Sequence, residues 1–565
     1  MLKEIHFYNL IKIGFFLSLV LIGGYFEFAS GLLTIYFTGC LLFASKDKFT
    51  FNKDKTIYSV IIIVMMYLLV IPFSTDISMG IIGFVKYLPL IPIVLLVAKL
   101  EKEEKENILK TIPICGVLMT MFSFFVSFFE GLDSFFNVSG RYAGLFQYPN
   151  TFALFLLIGL IVLVHQKEDK NKLYYIYCVV LMGGLFMSGS RTGMILMVLS
   201  LLMSCFLKET RRNGIVLGVI LAIGWMFSLA WVVFNGEIGT IGRYLTASLS
   251  SSTFVGRILY VIDALPVIFS NPLGLGYMGY QFLQGSFQTG VYNVAYVHND
   301  FLQLFLDVGW VAGVLFILLA YRAITSKENC SMFRMIALFI SLHTLLDFHL
   351  QYISIFLIFI LVLDYQPISK VINKKKKSKI KQITVKNKVV YGFAVVSILF
   401  SGYMGSALFL EYMNQDDLSL TLFSMNSRIY MDKIYNTVDV DEANEYANKI
   451  LDNGDDNMLS YRAKADWYFK SGMVEDTVEN KLKQIELSKY DLDAYKELIE
   501  MLVIFKDLYN DSGDMEGVMY CTGILQSIPT MLEEVENNTS SLAYKITDQP
   551  DLELPSEYIY YCYTN

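Results

Sequence analysis

Charged residues are scarce in this chain and long apolar runs are not. Only 17% of the 565 residues are charged, whereas 55% are hydrophobic. Mean hydropathy is +0.49. A soluble protein of this length would not carry so many apolar runs, because about 17–25 such residues already span the roughly 30 Å hydrocarbon core of a bilayer as a helix. The composition therefore excludes a soluble globular enzyme and predicts a multi-pass membrane protein.

Sequence patterns typical of metal and nucleotide sites are also missing. The seven cysteines are scattered, with no CxxC pair and no metal-ligand spacing, although Cys521 and Cys562 would share one compartment and could pair. There is no Walker A or GxSxG pattern, and no DxD-type motif in a predicted outer loop. Gly274-Leu-Gly276 is too short for a nucleotide fingerprint. The sequence thus predicts no metal ion and no cofactor.

Thirteen apolar segments are candidate transmembrane helices. The first has no small-residue cleavage site and is followed at once by another, so it is interpreted as an anchor rather than a cleaved signal. The segments are about 9–27, 29–45, 57–73, 79–99, 108–130, 150–165, 172–187, 192–207, 214–234, 301–323, 333–347, 350–366 and 388–410.

Lysine is absent from every second loop, and this fixes the orientation. The basic loops are 46–55, 99–110, 167–172, 208–212, 322–334 and 370–388, the last with four consecutive lysines at 374–377. The intervening loops hold no lysine and only four arginines, Arg141, Arg191, Arg243 and Arg257. The positive-inside rule places the N-terminus in the cytoplasm and the residues after 410 outside. The predicted location is the bacterial plasma membrane.

The chain divides into a membrane body, residues 1–410, and a tail, residues 411–565. The tail holds 12 Lys and Arg against 31 Asp and Glu, so it carries a net charge of −19 and the body +12. The low pI therefore belongs to the tail and says nothing about a site in the body. The tail pattern is helical, and an acidic surface outside the cell suits a protein partner better than an anionic glycan.

A weak repeat of 34 residues in the tail resembles tetratricopeptide repeats. Tyr461 and Tyr495 are 34 residues apart, as are Asn457 and Asp491. Such arrays present a concave surface to a partner. The alternative is an ordinary helical cap on the membrane body.

One long outer loop, about 235–300, is rich in aromatic residues. Its stretch 254–276 begins like an amphipathic interfacial helix and ends in a glycine-rich turn. Aromatic residues in such a loop usually anchor it among lipid headgroups, and stacking on sugars is the more specific alternative.

Three motifs begin hydrophobic helices on the predicted outer side: GRYAGLFQYPN at 140–150, SGSRTG at 188–193 and HND at 298–300. A helix N-terminus is electropositive, so converging helix starts favour an anion. Asn150 and Ser190 are predicted N-caps. The motifs therefore predict an anion site at the outer surface of the membrane.

The arginines and a histidine are the predicted reactive groups of this site. Arg141, Arg191 and Arg257 are predicted to bind an anion, against the alternative that they extend to lipid phosphates; Arg243 has no motif around it and is left open. His298 is the candidate general base, since histidine titrates near neutral pH.

A second polar cluster lies near the outer end of the eleventh segment. His343 and Asp347 are four residues apart, which would put them on one helix face, and His349 follows. Lys86 lies about ten residues inside the fourth segment and is predicted to face the interior, because a lysine facing lipid costs of order 2.5–3.5 kcal/mol. These residues either contact substrate or position helices, and either His298 or His343 could take the proton.

Taken together, GRYAGLFQYPN, SGSRTG, Arg257 followed by NPLGLGY, and HNDFLQLFLDVGWVAG resemble the O-antigen ligase and O-antigen polymerase family over about residues 115–365. The resemblance implies an all-α, GT-C-like bundle of about 12–13 transmembrane helices and a metal-independent, inverting glycosyl transfer. It implies that Arg191 and Arg257, supported by Arg141, hold a pyrophosphate and that His298 of the His298-Asn299 pair is the base. The tail lies outside the resemblance.

The predicted function is transfer of a glycan from a polyprenyl-diphosphate carrier to an acceptor hydroxyl on the outer face, by a surface polysaccharide polymerase or ligase. The acceptor is a glycan, a lipid or a protein, and nucleic acid is not an expected partner. The alternatives are a protein O-oligosaccharyltransferase, a transporter of lipid-linked glycans and a non-enzymatic scaffold. The predicted contacts are Arg141, Asn150, Ser190, Asn299, His343, Asp347 and Lys86.

Overall fold

The computed structural model describes residues 7–44, 49–129, 131–166, 172–235, 239–245, 251–365 and 382–563. The lysine run 374–377 and most of the loop 167–172 lie outside these ranges. Helices make up nearly all regular structure, and the predicted all-α, polytopic membrane fold is confirmed. A helical membrane body carries a helical tail at one end.

The helices of the membrane body are α1 Phe7–Val20, α2 Glu27–Ala44, α3 Lys55–Val70, α4 Ile77–Tyr87, α5 Leu90–Val97, α6 Lys102–Leu109, α7 Ile112–Val126, α8 Asp133–Phe136, α9 Pro149–Val164, α10 Lys172–Met187, α11 Arg191–Phe206, α12 Arg211–Asn235, α13 Gly239–Leu245, α14 Ser252–Ser270, α15 Gly279–Phe287, α16 Asp300–Thr325, α17 Ser331–Thr344, α18 Ile353–Val362 and α19 Asn387–Tyr412. Two antiparallel strand pairs accompany them: β1 Phe49–Asn52 with β4 Gln382–Val385, and β2 Asn137–Val138 with β3 Arg141–Tyr142.

Every one of the thirteen predicted segments contains a helix. Within the described ranges, eight helical segments are long and apolar enough to cross a membrane, and six shorter apolar helices accompany them. The eight include Ser252–Ser270, which lies in the predicted outer loop and was expected to be interfacial. Length and composition alone give this set, so the count of thirteen spans and their orientation stay predictions.

The short helices α9 and α18 form the centre of the body. Every residue of α18 is buried, and so is every residue of α9 except Asn150. Helices at the periphery turn apolar side chains outward instead: Ile195 of α11 is 65% exposed and Phe227 of α12 is 73% exposed. Apolar faces of this kind are stable against lipid tails, and the pattern is that of a membrane bundle.

Helix α16 is broken near its start, and the glycine-rich turn of the outer loop fills the break. Val308 and Gly309 leave helical geometry, with φ of +77° at Gly309. The Trp310 N–H donates to Pro272 O at 3.0 Å, and the Gly276 N–H donates to Asp307 O at 2.9 Å. A Cβ at Gly309 would lie 2.3 Å from Pro272 O, so only glycine fits. The turn thereby fixes the outer loop on the helix that begins with the HND motif.

The tail helices are α20 Asp416–Leu422, α21 Ser427–Asn436, α22 Val440–Asp452, α23 Met458–Lys470, α24 Val474–Leu487, α25 Leu492–Ser512, α26 Met515–Asn537 and α27 Ser556–Tyr563. Residues separated by the predicted 34-residue offset have the same structural position in two tail helices: Asn457 is the N-cap of α23, and Asp491 is the N-cap of α25. Cys521 and Cys562 are free thiols buried in one tail core, so their suggested pairing is wrong.

The tail packs directly on the membrane body. Arg428 of α21 contacts Glu27 of α2 at 3.4 Å, and the Ile77 N–H at the start of α4 donates to Asn453 O at 3.2 Å. Ala543 packs with Leu259 of α14. We call the end of the bundle that makes these contacts the tail-side end.

Candidate functional site

A two-residue hairpin at the tail-side end presents Arg141. Strands β2 and β3 pair Val138 with Arg141, and the two residues between them have positive φ, +50° at Ser139 and +70° at Gly140. Two consecutive positive φ angles are the geometry of a tight hairpin turn, and glycine adopts it without strain. The glycine of the GRYAGLF motif therefore allows the tight turn that positions the following arginine.

Arg141 is held by the SGSRTG motif and by the asparagine that ends its own motif. Its Nε donates to Ser188 O at 2.7 Å, and its Nη2 donates to Asn150 Oδ1 at 3.0 Å. Burial, and next the charge of Arg243, lower the pKa of Arg141 to about 10. The side chain therefore stays positive at neutral pH beside a second guanidinium.

Arg141 and Arg243 approach each other across Gly189. A Cβ placed on Gly189, whose φ is +61°, would lie 3.2 Å from Arg141 Nε and 3.1 Å from Arg243 Nε. Arg191 joins them, because its Nε donates to Arg243 O at 2.9 Å. Three arginines thus surround the turn before α11. Ser190 caps that helix by accepting from the Gly193 N–H at 3.2 Å, as predicted.

Asp347 connects this arginine cluster to the histidine. The buried carboxylate accepts hydrogen bonds from Asn150 Nδ2 at 2.6 Å and from the Tyr148 hydroxyl at 2.8 Å. Arg257 Nη2 lies 3.2 Å from Oδ2, and His298 Nδ1 lies 3.1 Å from Oδ1. Burial alone would raise the pKa of Asp347, but Arg257 and His298 hold it well below its ordinary value. Asp347 is therefore ionised, and its carboxylate contacts four side chains of the site.

His298 is the histidine that reaches the surface of the site. Its side chain is 19% exposed, and its backbone has φ of +53°, a strained conformation for a residue other than glycine. Such strain persists only where surrounding contacts impose it. The ring lies beside Phe348 and Tyr260, with centroids 5.1 Å and 6.1 Å away. Asp347 contacts Nδ1 of the ring, and no hydrogen bond of Nε2 is found among the described residues.

Two predicted contact residues have other roles than expected. Asn150 is not an N-cap, since Tyr148 occupies that position; it bridges Arg141 and Asp347 instead. Asn299 caps α16 by accepting from the Leu302 N–H at 3.1 Å, so its side chain holds the helix start.

His343 is buried away from the site surface. It is fully buried and hydrogen-bonds His349, which also contacts Thr151 at 2.9 Å. The expectation that His343 and Asp347 share a helix face is wrong, because α17 ends at Thr344 and the chain turns before Asp347. These two histidines join α17 to α9, and they are fully buried, whereas the side chain of His298 is partly exposed.

Lys86 lies apart from these residues. It is fully buried, as predicted, and its Nζ is 3.5 Å from Gly24 O and 5.0 Å from the Tyr25 ring. Among the described contacts it makes none with the arginine cluster or with Asp347.

Sequence reasoning missed Tyr148 and left Arg243 open. Tyr148 stands in the QYPN segment, so its motif could have drawn attention to it. Arg243 has no local motif. It reaches the site only because the Ser188–Arg191 turn brings it beside Arg141.

Comparison with known proteins gives one family. Residues 176–317 match the family model described as O-Antigen ligase. The match spans about a quarter of the chain and includes Arg191, Arg243, Arg257 and His298. The chain matches none of the curated proteins with which it was compared. The match confirms the predicted resemblance to the O-antigen ligase and polymerase family over these residues, and it supports a family of surface polysaccharide ligases and polymerases; it does not confirm the tetratricopeptide character of the tail.

Proposed function

We propose that this chain, whose residues 176–317 carry an O-antigen ligase family domain, transfers a glycan from a polyprenyl-diphosphate carrier to an acceptor hydroxyl. The transfer takes place at the tail-side end, which is the outer face of the membrane. The observation that carries the proposal is the contact of His298 with Asp347 beside four arginines.

The histidine and the aspartate supply the base. With Nδ1–H donating to Asp347 Oδ1 at 3.1 Å, the lone pair of His298 is on Nε2. A hydroxyl is a weak nucleophile, and a positioned base accelerates its attack by typically about 10²–10⁴-fold. The carboxylate keeps the ring in this tautomer and stabilises the imidazolium that forms.

The arginines supply the countercharge for the leaving group. The acceptor oxygen forms a bond to the anomeric carbon, and the bond from that carbon to the diphosphate oxygen breaks. Its electron pair leaves with the diphosphate, while the acceptor proton moves to His298 Nε2. Arg141, Arg191 and Arg243 cluster, and none of the three forms an ion pair with a carboxylate in the described part of the chain, so they stabilise the negative charge that develops on the diphosphate. The N-terminus of α11 adds to the field.

The test is the pool of lipid-linked glycan in cells that lack the protein and express variants. His298→Ala is expected to abolish transfer and leave membrane insertion intact. His165→Ala is the matched control, because that histidine caps the end of α9 through Ile161 O and, within the described ranges, has no hydrogen bond to a site residue. Normal transfer by His298→Ala would remove the base assignment.

The same measurement separates the possible acceptors. If carriers bearing a single repeat unit accumulate without the protein, its reaction is polymerisation. Long chains that remain on the carrier identify ligation to a lipid or protein. A pool that does not change in any strain would contradict glycosyl transfer altogether.

A further inference from the structure

The joint between the tail and α4 holds buried polar groups that the transfer reaction does not use. Beside the hydrogen bond from Ile77 to Asn453, the Asn453 Nδ2 donates to Ser427 Oγ at 2.9 Å. Ser78 Oγ lies 3.3 Å from the same Ser427 Oγ. The turn that follows α22 is therefore pressed against the first residues of α4.

Two carboxylates occupy this joint. Asp76 is the N-cap of α4; its Oδ1 accepts from the Met79 N–H at 2.8 Å and from Ser78 Oγ at 2.6 Å, while its Oδ2 is buried without a partner in the described part of the chain. Asp455 follows Gly454, whose φ is +82°, and is fully buried. Neither oxygen of Asp455 has a hydrogen-bond partner among the residues the structure describes.

A pair of buried carboxyl groups must take up either a proton or a cation. Burial, and next the charge of Asp76, raise the pKa of Asp455 well above its ordinary value, although the nearby side chain of Asn457 opposes this shift; the further carboxylate of Asp456 lies in the same turn. No lysine or arginine of the described ranges forms an ion pair with Asp76 or Asp455. Water could fill the vacant lone pairs but would not neutralise the charge, and an uncompensated buried charge is strongly destabilising.

We propose that Asp76 and Asp455 bind a divalent cation of the calcium class where the tail meets α4. The three unpartnered carboxylate oxygens are hard donors, which Ca²⁺ prefers, and it takes its remaining ligands from carbonyl oxygens and water. No third Asp, Glu, His or Cys of the described chain joins them. Few charged ligands predict weak affinity, with a Kd of about 10⁻⁴–10⁻³ M, as in extracellular modules.

The bound cation would connect the tail to α4 and, through α4, to the turn that fills the break of α16. Asp76 directly follows Thr75, whose N–H donates to Leu275 O at 2.8 Å in the turn that fills the break of α16. The cation therefore stabilises the joint of tail, α4 and outer loop, without taking part in the transfer reaction.

The test is the thermal unfolding of the full-length protein in nanodiscs after removal of divalent ions with EDTA. Adding CaCl₂ to about 10 mM, well above the expected Kd, should raise the Tm of the wild type by a few degrees. Asp455→Asn removes the repulsion, so it should fold without metal and show no response to calcium. Asp452→Asn removes one exposed charge from the same turn and should respond like the wild type.

Each other result overturns the proposal. Equal calcium responses in Asp455→Asn and wild type would mean that the cation binds elsewhere. A wild-type Tm that ignores calcium and EDTA but falls as the pH rises from about 5 to about 8 would mean that the two carboxylates share a proton. That sign follows because a folded state with a raised carboxyl pKa binds more protons than the unfolded chain. If Asp455→Asn does not fold, Asp76→Asn replaces it with the same two readouts.

Discussion

At the scale of single residues, Asp347 is the group on which the proposed reaction depends most. It contacts Arg257 at 3.2 Å and His298 at 3.1 Å. Asp347→Asn keeps the shape but removes the charge, so the histidine loses its orientation and the imidazolium its countercharge. We expect transfer to fall by about 10²–10⁴-fold, measured from the accumulation of lipid-linked glycan. Asp364→Asn is the control, since it breaks a similar pair with Arg322 at 3.1 Å, remote from the site.

Unfolding measurements separate this role from a loss of stability. A carboxyl whose folded-state pKa is lowered stabilises the fold above its unfolded pKa of about 3.9, and this stabilisation is lost as the pH falls through the folded value. At neutral pH, Asp347→Asn should therefore also lower the Tm. If a stabilising lipid restores the Tm of Asp347→Asn but not its transfer activity, the orienting role is supported. Normal transfer by the variant would contradict it.

Several site residues could be predicted one by one because their backbone signals are local. Gly140 and Gly189 precede Arg141 and Arg191 by one or two positions, and both glycines have positive φ. Ser190 was identified as a cap from its place before an apolar run. Arg243 could not be found in this way, since its partner Gly189 is 54 residues earlier and only the fold brings them together.

At the scale of elements, helix α14 links the tail to the arginine of the site. Its Leu259 is buried against Ala543, and Ser252 Oγ lies 2.7 Å from Thr547 Oγ1. The same helix carries Arg257. If the tail segment around Ala543 no longer packs against α14, the helix should move and shift Arg257, which contacts Asp347.

Ala543→Glu tests this link. The alanine is fully buried, and it packs so closely on Gly290 that the glycine could not carry a Cβ, so a longer, charged side chain at position 543 must displace its neighbours. A displacement of about 1 Å in a site can cost about 10²-fold in rate. We expect transfer to fall by that order while the protein still inserts, with Tyr544→Glu as control because that side chain is 46% exposed. Equal transfer in both variants would show that α14 keeps its place without the tail.

The positions of the helices could be predicted from the apolar runs, but the breaks within helices could not. All thirteen predicted spans contain helices, since a run of apolar residues has few alternatives in a bilayer. The break of α16 at Gly309 had no such signal, because its free backbone groups are satisfied by Pro272 and Gly276 from a distant turn. The turn Gly274–Gly276, dismissed as a nucleotide fingerprint, acquires its structural role only there.

At the scale of the whole molecule, charge is separated between two parts that nevertheless form one packed structure. The tail carries −19 and the body +12, as the sequence indicates. Contacts such as Arg428 with Glu27 and Lys489 with Ser286 O then join them. Composition predicts a boundary near residue 411, but these contacts depend on surfaces that only the folded chain defines.

Deletion of residues 411–565 distinguishes a catalytic body from a scaffold whose working part is the tail. If the body is the enzyme, His298→Ala with an intact tail should lose transfer completely. The deletion should reduce transfer strongly, because α14 loses Ala543 and Glu27 loses Arg428. Both outcomes are read from the lipid-linked glycan pool, with the amount of protein in the membrane measured in each strain. If the protein is a scaffold, the deletion should remove all function, whereas His298→Ala should behave like the wild type. The result for His298→Ala therefore separates the two interpretations.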